Sequence, residues 1–402
     1  MKIDIATRME RSVLGINIQY IKDYKVIVHT IGMIETTKRH TAANLKEEIM
    51  KCLNEYGIGI NQIYSNTTDN GANVVKASKL LHDMQQESLA NEDAINDVEA
   101  DHIESQIASV FSVVRCAAHT IQLAAYDVIK TIEKDLEECR TIVKKLRTLV
   151  RAGNTDISLP FIDNRTRWNS TYDMMESLYR IKEYIENLDK NMYINWSFVK
   201  DFLTAFQPIS KCTLKLQNEQ YIIGDFFRDW LTCELELADL VPENIYADSL
   251  LNAMKIRKNV LLEYKAFVAA LYLDPRFNFE ETPLLSSEQK DVAMDHLIRT
   301  YEMIQKIKNP SEYENDCTSG VVPHTTQDNE LPSTSKGAYH KLTLHVRSLA
   351  KSQSATRPIV KPDIKQKLVN LCVKEMEPFD TNVLEYWRKF YRNESIDNKI
   401  KF

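Results

Sequence analysis

The chain has little glycine and little proline, 9 and 11 residues among 402, and this scarcity excludes collagen-like and wholly disordered proteins. No apolar run approaches the roughly 20 residues that cross a bilayer, and charges interrupt the N-terminal MKIDIATRMERS before a signal peptide could form its apolar segment. The 7 cysteines are odd in number and scattered, which indicates reduced thiols of the cytosol or nucleus. We therefore expect an intracellular globular protein with no membrane partner.

The charge that is present is separated into blocks. The net charge is −6, but residues 82–105 hold eight acidic residues and no Lys or Arg. Residues 341–370 carry seven Lys or Arg against Asp363 alone. Such a basic block is either a nucleic-acid contact or simply a solvated face, and the sequence leaves both readings open.

The first third of the chain alternates between the periods of strands and helices. A period of two predicts three strands at Lys2–Ala6, Leu14–Tyr20 and Lys25–Met33, with a turn at Asp23-Tyr24. A helix at 41–56, a strand at 62–68, a helix at 72–81, a strand at 109–115 and a further helix follow. The order β-β-β-α-β-α-β-α matches the α/β ribonuclease-H-like arrangement, in which strand one lies centrally beside strand four.

The patterns along the whole chain predict four segments. Residues 1–135 form the first part of a ribonuclease-H-like (integrase-type) core, with the acidic insert 82–105. Residues 136–308 have helical period almost throughout and predict a large all-α insertion. Residues 309–338 lose all periodicity and predict a disordered linker, and 339–402 predict C-terminal helices.

Two aspartates are the candidate metal ligands. Asp4 lies within the first strand and Asp69 ends the fourth, so their carboxylates would lie on adjacent strands and could share Mg²⁺ or Mn²⁺. The alternative for Asp69 is a cap of the helix that begins near Ala72, and the alternative for Asp4 is a solvent-facing polar residue.

Cys116-Ala-Ala-His119 has the spacing that brings a thiol and an imidazole to one side of a helical turn, and this ligand pair suits zinc. A structural zinc site needs four ligands, and no second C-x-x-C or H-x₃-H lies nearby. We therefore expect no structural zinc, and the alternative is a buried Cys with a hydrogen-bonded His.

The stretch DNRTRWNSTY at 163–172 offers Arg165 and Arg167 as phosphate contacts and Trp168 as an aromatic plate for a base. The alternative is a core Trp beside surface arginines. The stretch LYLDPRF at 271–277 predicts only a turn. The P-loop, dinucleotide-binding and serine-hydrolase motifs are absent from the 402 residues.

Five motifs in order resemble the hAT superfamily of DNA transposases. They are TTDNGANVVKA, RCAAHTIQLAAYDVIK, TRWNSTYDMMESL, AALYLDPRF and NVLEYWRKF. The resemblance spans about Asp4 to Phe390. It implies a nuclear protein with DNA as partner and a ribonuclease-H-like core interrupted by a helical insertion.

The resemblance also implies roles for the candidate residues. Asp69 matches the family's second catalytic Asp and Asp4 looks like the first, so both would hold Mg²⁺ or Mn²⁺ if the chain is active. Cys116 and His119 match an element that orders the active site. Arg165, Arg167 and Trp168 fall in the region implied to stabilise the unpaired base. The segment around Trp387 resembles the start of the family's dimerisation region.

Two family features are missing, which predicts a chain truncated at both ends. The family's N-terminal BED-type zinc finger does not occur, and neither does the S-x-E-R-x-F-S-like motif with the third catalytic residue, a Glu. We therefore expect a nucleic-acid-binding or dimerising protein without catalysis, its homo-oligomer weakened by the truncation. The alternative is an enzyme with residual metal-dependent DNA strand cleavage.

Overall fold

The structure is a computed structural model that describes residues 1–8, 11–36, 39–68, 71–93, 112–153, 158–188, 193–308 and 362–393. Asp69, part of the acidic insert, the predicted linker and most of the basic block at 341–370 lie outside these residues. The described chain has a mixed α/β architecture that is mostly helical, with one small sheet.

The sheet has five strands in the order β3-β2-β1-β4-β5. Antiparallel pairing joins β1 to β2 and β2 to β3, whereas β4 is parallel to β1 and β5 is parallel to β4. This confirms the predicted meander and the place of β1 beside β4. The strands are β1 (Lys2–Arg8), β2 (Arg11–Lys22), β3 (Lys25–Glu35), β4 (Ser65–Thr68) and β5 (Ser112–Arg115).

The turn between β2 and β3 was predicted at Asp23-Tyr24, and both residues have positive φ, 50° and 59°. Two such residues form the tight hairpin turn whose twist matches that of the flanking strands. The turn therefore fixes the register of the hairpin.

Two helices cover one face of the sheet. Thr41 caps α1 (Ala42–Glu55) by accepting a hydrogen bond from the N–H of Asn44, and Gly57 follows its end with φ of 66°. The apolar face of α1 packs with that of α2 (Ala72–Asp93) against the strands. Since α2 runs to Asp93, the prediction that it ends at Leu81, where the acidic insert would begin, was too short.

Nine α-helices lie between β5 and Lys308 in the described part of the chain. They are α3 (Ala117–Ile129), α4 (Glu133–Gly153), α5 (Trp168–Arg180), α6 (Lys182–Leu188), α7 (Trp196–Lys215), α8 (Ile223–Leu240), α9 (Ala247–Leu262), α10 (Lys265–Tyr272) and α11 (Ser287–Lys308). They enclose a second, larger core rich in aromatic side chains. None of the helices in the described ranges combines the length and apolar character needed to cross a membrane.

The C-terminal helices pack onto the segment that follows α10. They are α12 (Pro362–Val369) and α13 (Val383–Asn393). The Tyr272 hydroxyl donates to the carbonyl of Leu368 at 3.0 Å, and the Trp387 indole N–H donates to that of Leu273 at 3.1 Å.

Candidate functional site

Asp4 lies on the central strand at the point where β4 ends. It is paired with Gly15 of β2, and its side chain is exposed. The last parallel pair between β1 and β4 joins Ile3 to Thr68, so Asp4 is the next residue of β1 beyond the pairing. Asp69 follows Thr68 in sequence and is outside the described residues, so its distance from Asp4 stays untested.

The Cys116–His119 element begins beside the same strand end. Cys116 is the residue before α3, and its N–H donates to the carbonyl of Thr68 at 3.0 Å. Its own carbonyl accepts from the N–H and hydroxyl of Thr120, at 2.9 and 3.1 Å, which fixes the first turn of α3. The thiol is free, and both Cys116 and His119 are half-buried. The ends of β4 and β5 and the start of α3 therefore meet next to Asp4.

The described side chains at this place do not make a complete metal site. Across the described ranges, no group of three or more His, Cys, Asp or Glu side chains could hold a metal ion. Mg²⁺ in proteins is usually held by one or two carboxylates with water or substrate phosphate, and of the two predicted carboxylates the described residues include only that of Asp4. The Mg²⁺ or Mn²⁺ site predicted at Asp4 and Asp69 stays a prediction.

Trp168 belongs to the core of the helical part. It is 2% exposed and packs against Tyr172 and Phe206, with ring centroids 6.4 and 6.2 Å away. This is the arrangement of the alternative reading, a core Trp beside surface arginines. In this conformation the indole is not available to stack on a base, and its visible effect is to anchor the N-terminus of α5.

The two neighbouring arginines differ in their surroundings. The guanidinium of Arg165 is 62% exposed but forms ion pairs with Glu137 and Glu133 of α4. Arg167 is exposed, and no carboxylate within the described parts of the chain lies within 4.0 Å of its guanidinium. Of the three residues predicted to contact nucleic acid, Arg167 is therefore the one whose side chain is free for a phosphate.

A buried ion pair that sequence reasoning missed supports this loop. The side chains of Arg140 on α4 and Asp163 are 4% and 3% exposed, and their Nη2 and Oδ2 atoms are 2.8 Å apart. Burial alone would lower the pKa of Arg140, but the hydrogen bond and charge of Asp163, with those of Glu133, raise it above its ordinary value. The spacing of Glu137 and Arg140 on α4 signals their own ion pair, but no local pattern points to Asp163, 23 residues from Arg140.

The stretch LYLDPRF, which predicted only a turn, contains a second buried network. Arg276 is 0% exposed, and its guanidinium lies 2.6 Å from Asp274 and 2.7 Å from Asp225 of α8. The same guanidinium donates to the carbonyls of Phe379 and Thr381, at 3.3 and 3.4 Å. The network therefore joins the helical part to the C-terminal segment.

Two comparisons with known proteins bear on these observations. Residues 114–200 match the family model described as "ZBED1 RNase-like helical domain", and this range includes Cys116, His119 and the Arg165–Trp168 loop. The chain is also 24% identical over 349 residues to the Zea mays protein named "Putative AC transposase", which covers 80% of this chain. The chain spans 41% of the length of that relative.

The family model's range contains two of the five motifs, RCAAHTIQLAAYDVIK and TRWNSTYDMMESL, and with them the elements that hold Cys116, His119 and the Arg165–Trp168 loop. The family model covers the helices on either side of the Arg167 loop, and the similarity to the maize protein extends over most of the chain. Together these matches show that the chain is similar in sequence to a transposase over most of its length and to the ZBED1 RNase-like helical domain over residues 114–200.

Proposed function

We propose that this chain is a transposase-derived protein that binds DNA through the surface around Arg167, and that a polypeptide of these 402 residues cleaves DNA poorly or not at all. The observation that carries the proposal is the contrast between Arg167, which is exposed and has no ion-pair partner among the described residues, and the buried Trp168 beside it. The buried indole fixes the end of α5, so the guanidinium is presented from an anchored backbone. An anchored arginine is suited to a bidentate phosphate contact.

The proposal includes the architecture. The strand order and directions fit a ribonuclease-H-like core in residues 1–135, and the helices of residues 136–308 fit its all-α insertion. A linker at 309–338 and C-terminal helices at 339–402 complete the proposed division. A role on DNA implies a nuclear protein.

Self-association is part of the same proposal. Tyr386, Trp387, Phe390 and Tyr391 of α13 are all half-buried, so their rings retain exposed surface. Aromatic side chains of this kind are enriched at protein interfaces. We expect size-exclusion chromatography with light scattering to detect a dimer, and we expect Tyr391→Ser to weaken it. A monomer mass at all concentrations would contradict the proposed self-association.

The second candidate function is residual metal-dependent DNA strand cleavage. It is favoured by the register that places Asp4 at the end of β4, with Cys116 bonded to Thr68 on the other side. Asp4 and Asp69 would then hold Mg²⁺ or Mn²⁺, which polarises a phosphate when bound, and Cys116 and His119 would keep the strand ends in place. Against it, no counterpart of the family's Glu motif occurs in the 402 residues.

Fluorescence anisotropy with labelled duplex and hairpin DNA tests the binding proposal. We expect Arg167→Gln to weaken binding and to reduce the slope of log affinity against log salt by about 1, because one phosphate contact is lost. The matched control is Arg180→Gln at the other end of α5, where the guanidinium is 60% exposed and pairs with Glu176. Equal salt slopes for wild type and Arg167→Gln would contradict the proposal.

A cleavage assay with Mn²⁺ on hairpin and nicked DNA separates the two candidates. We expect wild type, Asp4→Asn and Asp69→Asn to give the same background, with Asp23→Asn of the β2–β3 turn as the control. Cleavage by wild type and Asp23→Asn that disappears in both Asp4→Asn and Asp69→Asn would instead favour the enzyme.

A further inference from the structure

The loop of residues 163–167 has no helix or strand of its own, yet its backbone carbonyls are held by side chains of α3. The Tyr126 hydroxyl donates to the carbonyl of Arg165 at 2.5 Å. The Gln122 side-chain amide donates to the carbonyl of Thr166 at 2.9 Å. These two carbonyls directly precede Arg167, so α3 fixes the path of the backbone into α5.

The same face of α3 begins at the Cys116–His119 element. His119, Gln122 and Tyr126 are spaced by three and four residues, which aligns their side chains along one side of a helix. The N-terminal end of this helix is tied to β4 through the bond from Cys116 to Thr68. One helix therefore contacts the end of the sheet at its start and the Arg167 loop along its length.

A second set of contacts holds the other end of the loop. The Asp163 carboxylate accepts from the Arg140 guanidinium and, at 3.0 Å, from the hydroxyl of Thr171 on α5. Thr171 is 1% exposed, so this junction between α4, the loop and α5 is closed to solvent. The loop is thus fixed at Asp163 by α4 and α5 and at Arg165 and Thr166 by α3.

The chemistry of Tyr126 suits this task. Burial raises the pKa of its hydroxyl, with Asp163 and Glu133 acting in the same direction and Arg140 against it. The hydroxyl is therefore protonated at neutral pH and can donate to a carbonyl.

From these contacts we propose that Gln122 and Tyr126 are positioning residues. They hold the backbone of the loop so that Arg167, whose own guanidinium has no carboxylate partner in the described chain, meets nucleic acid in one orientation. The role in nucleic-acid contact rests on the proposed function, whereas the stabilisation of the loop backbone by Gln122 and Tyr126 can be measured without DNA.

Amide hydrogen exchange of the segment 161–170 tests directly whether Gln122 and Tyr126 fix the backbone of the loop. The N–H groups of Asn164, Thr166 and Arg167 all donate within the loop or to Ser170, at 2.8 to 3.1 Å, so they are expected to be protected in wild type. We expect Tyr126→Phe and Gln122→Met each to speed exchange of these amides while α7 stays unchanged. Exchange equal to wild type in both variants overturns the proposal.

The control for this measurement is Tyr272→Phe. It removes the same kind of bond, from a tyrosine hydroxyl to the carbonyl of Leu368 at 3.0 Å, at a place away from the loop. We expect it to leave exchange of the 161–170 segment as in wild type. If Tyr272→Phe speeds that exchange as much as Tyr126→Phe does, the effect is general loosening and the proposal fails.

A second experiment measures DNA affinity in a double-mutant cycle of Tyr126→Phe with Arg167→Gln. We expect Tyr126→Phe to weaken binding by between about twofold and tenfold, as for one lost hydrogen bond, and to have no further effect once Arg167 is replaced. Additive losses would overturn the positioning role. If Arg167→Gln alone leaves DNA affinity and salt slope unchanged, the proposed function fails. The hydrogen-exchange measurement still tests whether Gln122 and Tyr126 stabilise the loop backbone.

Discussion

Arg276 shows how one side chain can connect distant parts of the chain. It bonds to Asp274 in its own turn, to Asp225 of α8 and to two carbonyls of the C-terminal segment. Burial alone would lower the pKa of this guanidinium, but Asp274 and Asp225 raise it above its ordinary value, so the charge is kept. Gly224 makes room for the network, since a Cβ there would lie 1.8 Å from the Asp274 carboxylate.

Replacing this arginine is expected to be costly. We predict that Arg276→Met lowers the free energy of unfolding by about 3–5 kcal/mol, because the buried Asp274 carboxylate then loses its charged partner inside the protein. Asp225 loses one of its two arginines and keeps Arg228, 3.5 Å away. Urea denaturation followed by circular dichroism measures the loss. Arg299→Met is the control, since Arg299 forms an exposed pair with Asp295 and should change stability by less than about 1 kcal/mol. Similar losses in both variants would show that the network contributes little.

The residues that were hardest to predict are those whose role depends on burial. The sequence offered Trp168 equally as a stacking plate or as a core residue, and only its contacts with Phe206 and Tyr172 decide between them. Arg276 was predicted only as part of a turn, because its partner Asp225 lies 51 residues away. The place of Asp4 on a central strand beside β4 was predicted, because strand order follows from the meander and the α-β-α-β pattern that comes after it.

The strand β3 lies at the edge of the sheet, and a side chain covers part of that edge. The Gln220 amide, from the loop between α7 and α8, donates to the carbonyl of Val26 and accepts from its N–H, both at 3.0 Å. These are the bonds that a neighbouring strand would make. Open strand edges are prone to pair with other chains, so Gln220 limits such pairing at this end of β3.

Removing this cover gives an element-scale prediction. We expect Gln220→Ala to speed exchange of the Val26 amide and to lower the free energy of unfolding by up to about 1 kcal/mol. The reason is that the N–H and carbonyl of Val26 then bond to water instead of to the Gln220 side chain. Gln217→Ala, which replaces an exposed glutamine in the same loop between α7 and α8, serves as the control. Unchanged exchange of the Val26 amide in Gln220→Ala would show that Gln220 does not cover this edge of β3.

Elements were predictable where the periodicity was long and unbroken. The alternation along 14–20 and the face of α1 gave the right element types, and the turn at Asp23-Tyr24 was found at its place. The divisions of the long helical stretches were not found. The breaks at Ile181 and at Glu263-Tyr264 contain neither glycine nor proline, whereas Pro208 lies within α7 without ending it. Tertiary packing overrides local preference at these places.

At the scale of the molecule, a second contact joins the sheet to the helices. The Tyr64 hydroxyl, just before β4, lies 2.8 Å from Nε2 of His296 on α11, 232 residues along the chain. His296 is buried, with the two rings 5.6 Å apart. Together with the Gln220–Val26 pair, this contact attaches the β3 edge of the sheet and the start of β4 to the helical part. Separations of this size leave no trace in local periodicity, so the sequence could not predict them.

The Tyr64–His296 contact makes the attachment sensitive to pH. Burial, helped by the nearby charges of Lys265 and Arg299 and opposed by that of Asp295, lowers the pKa of His296 to about 4. The unfolded chain, with an ordinary histidine pKa near 6.5, binds more protons than the folded chain between those values. Stability must therefore fall as the pH drops from about 6.5 towards 4, and this group contributes no further loss below that.

We predict that wild type loses up to about 3 kcal/mol more stability than His296→Gln between pH 7 and pH 4, because the variant keeps a polar partner for Tyr64 but cannot titrate. Urea denaturation at stepped pH values measures the difference. Tyr64→Phe separates the hydrogen bond from the charge: it should lower stability at pH 7 yet keep the wild-type loss on acidification, since His296 stays buried. Parallel pH profiles for wild type and His296→Gln would mean that this histidine does not link protonation to the packing of the sheet on the helices.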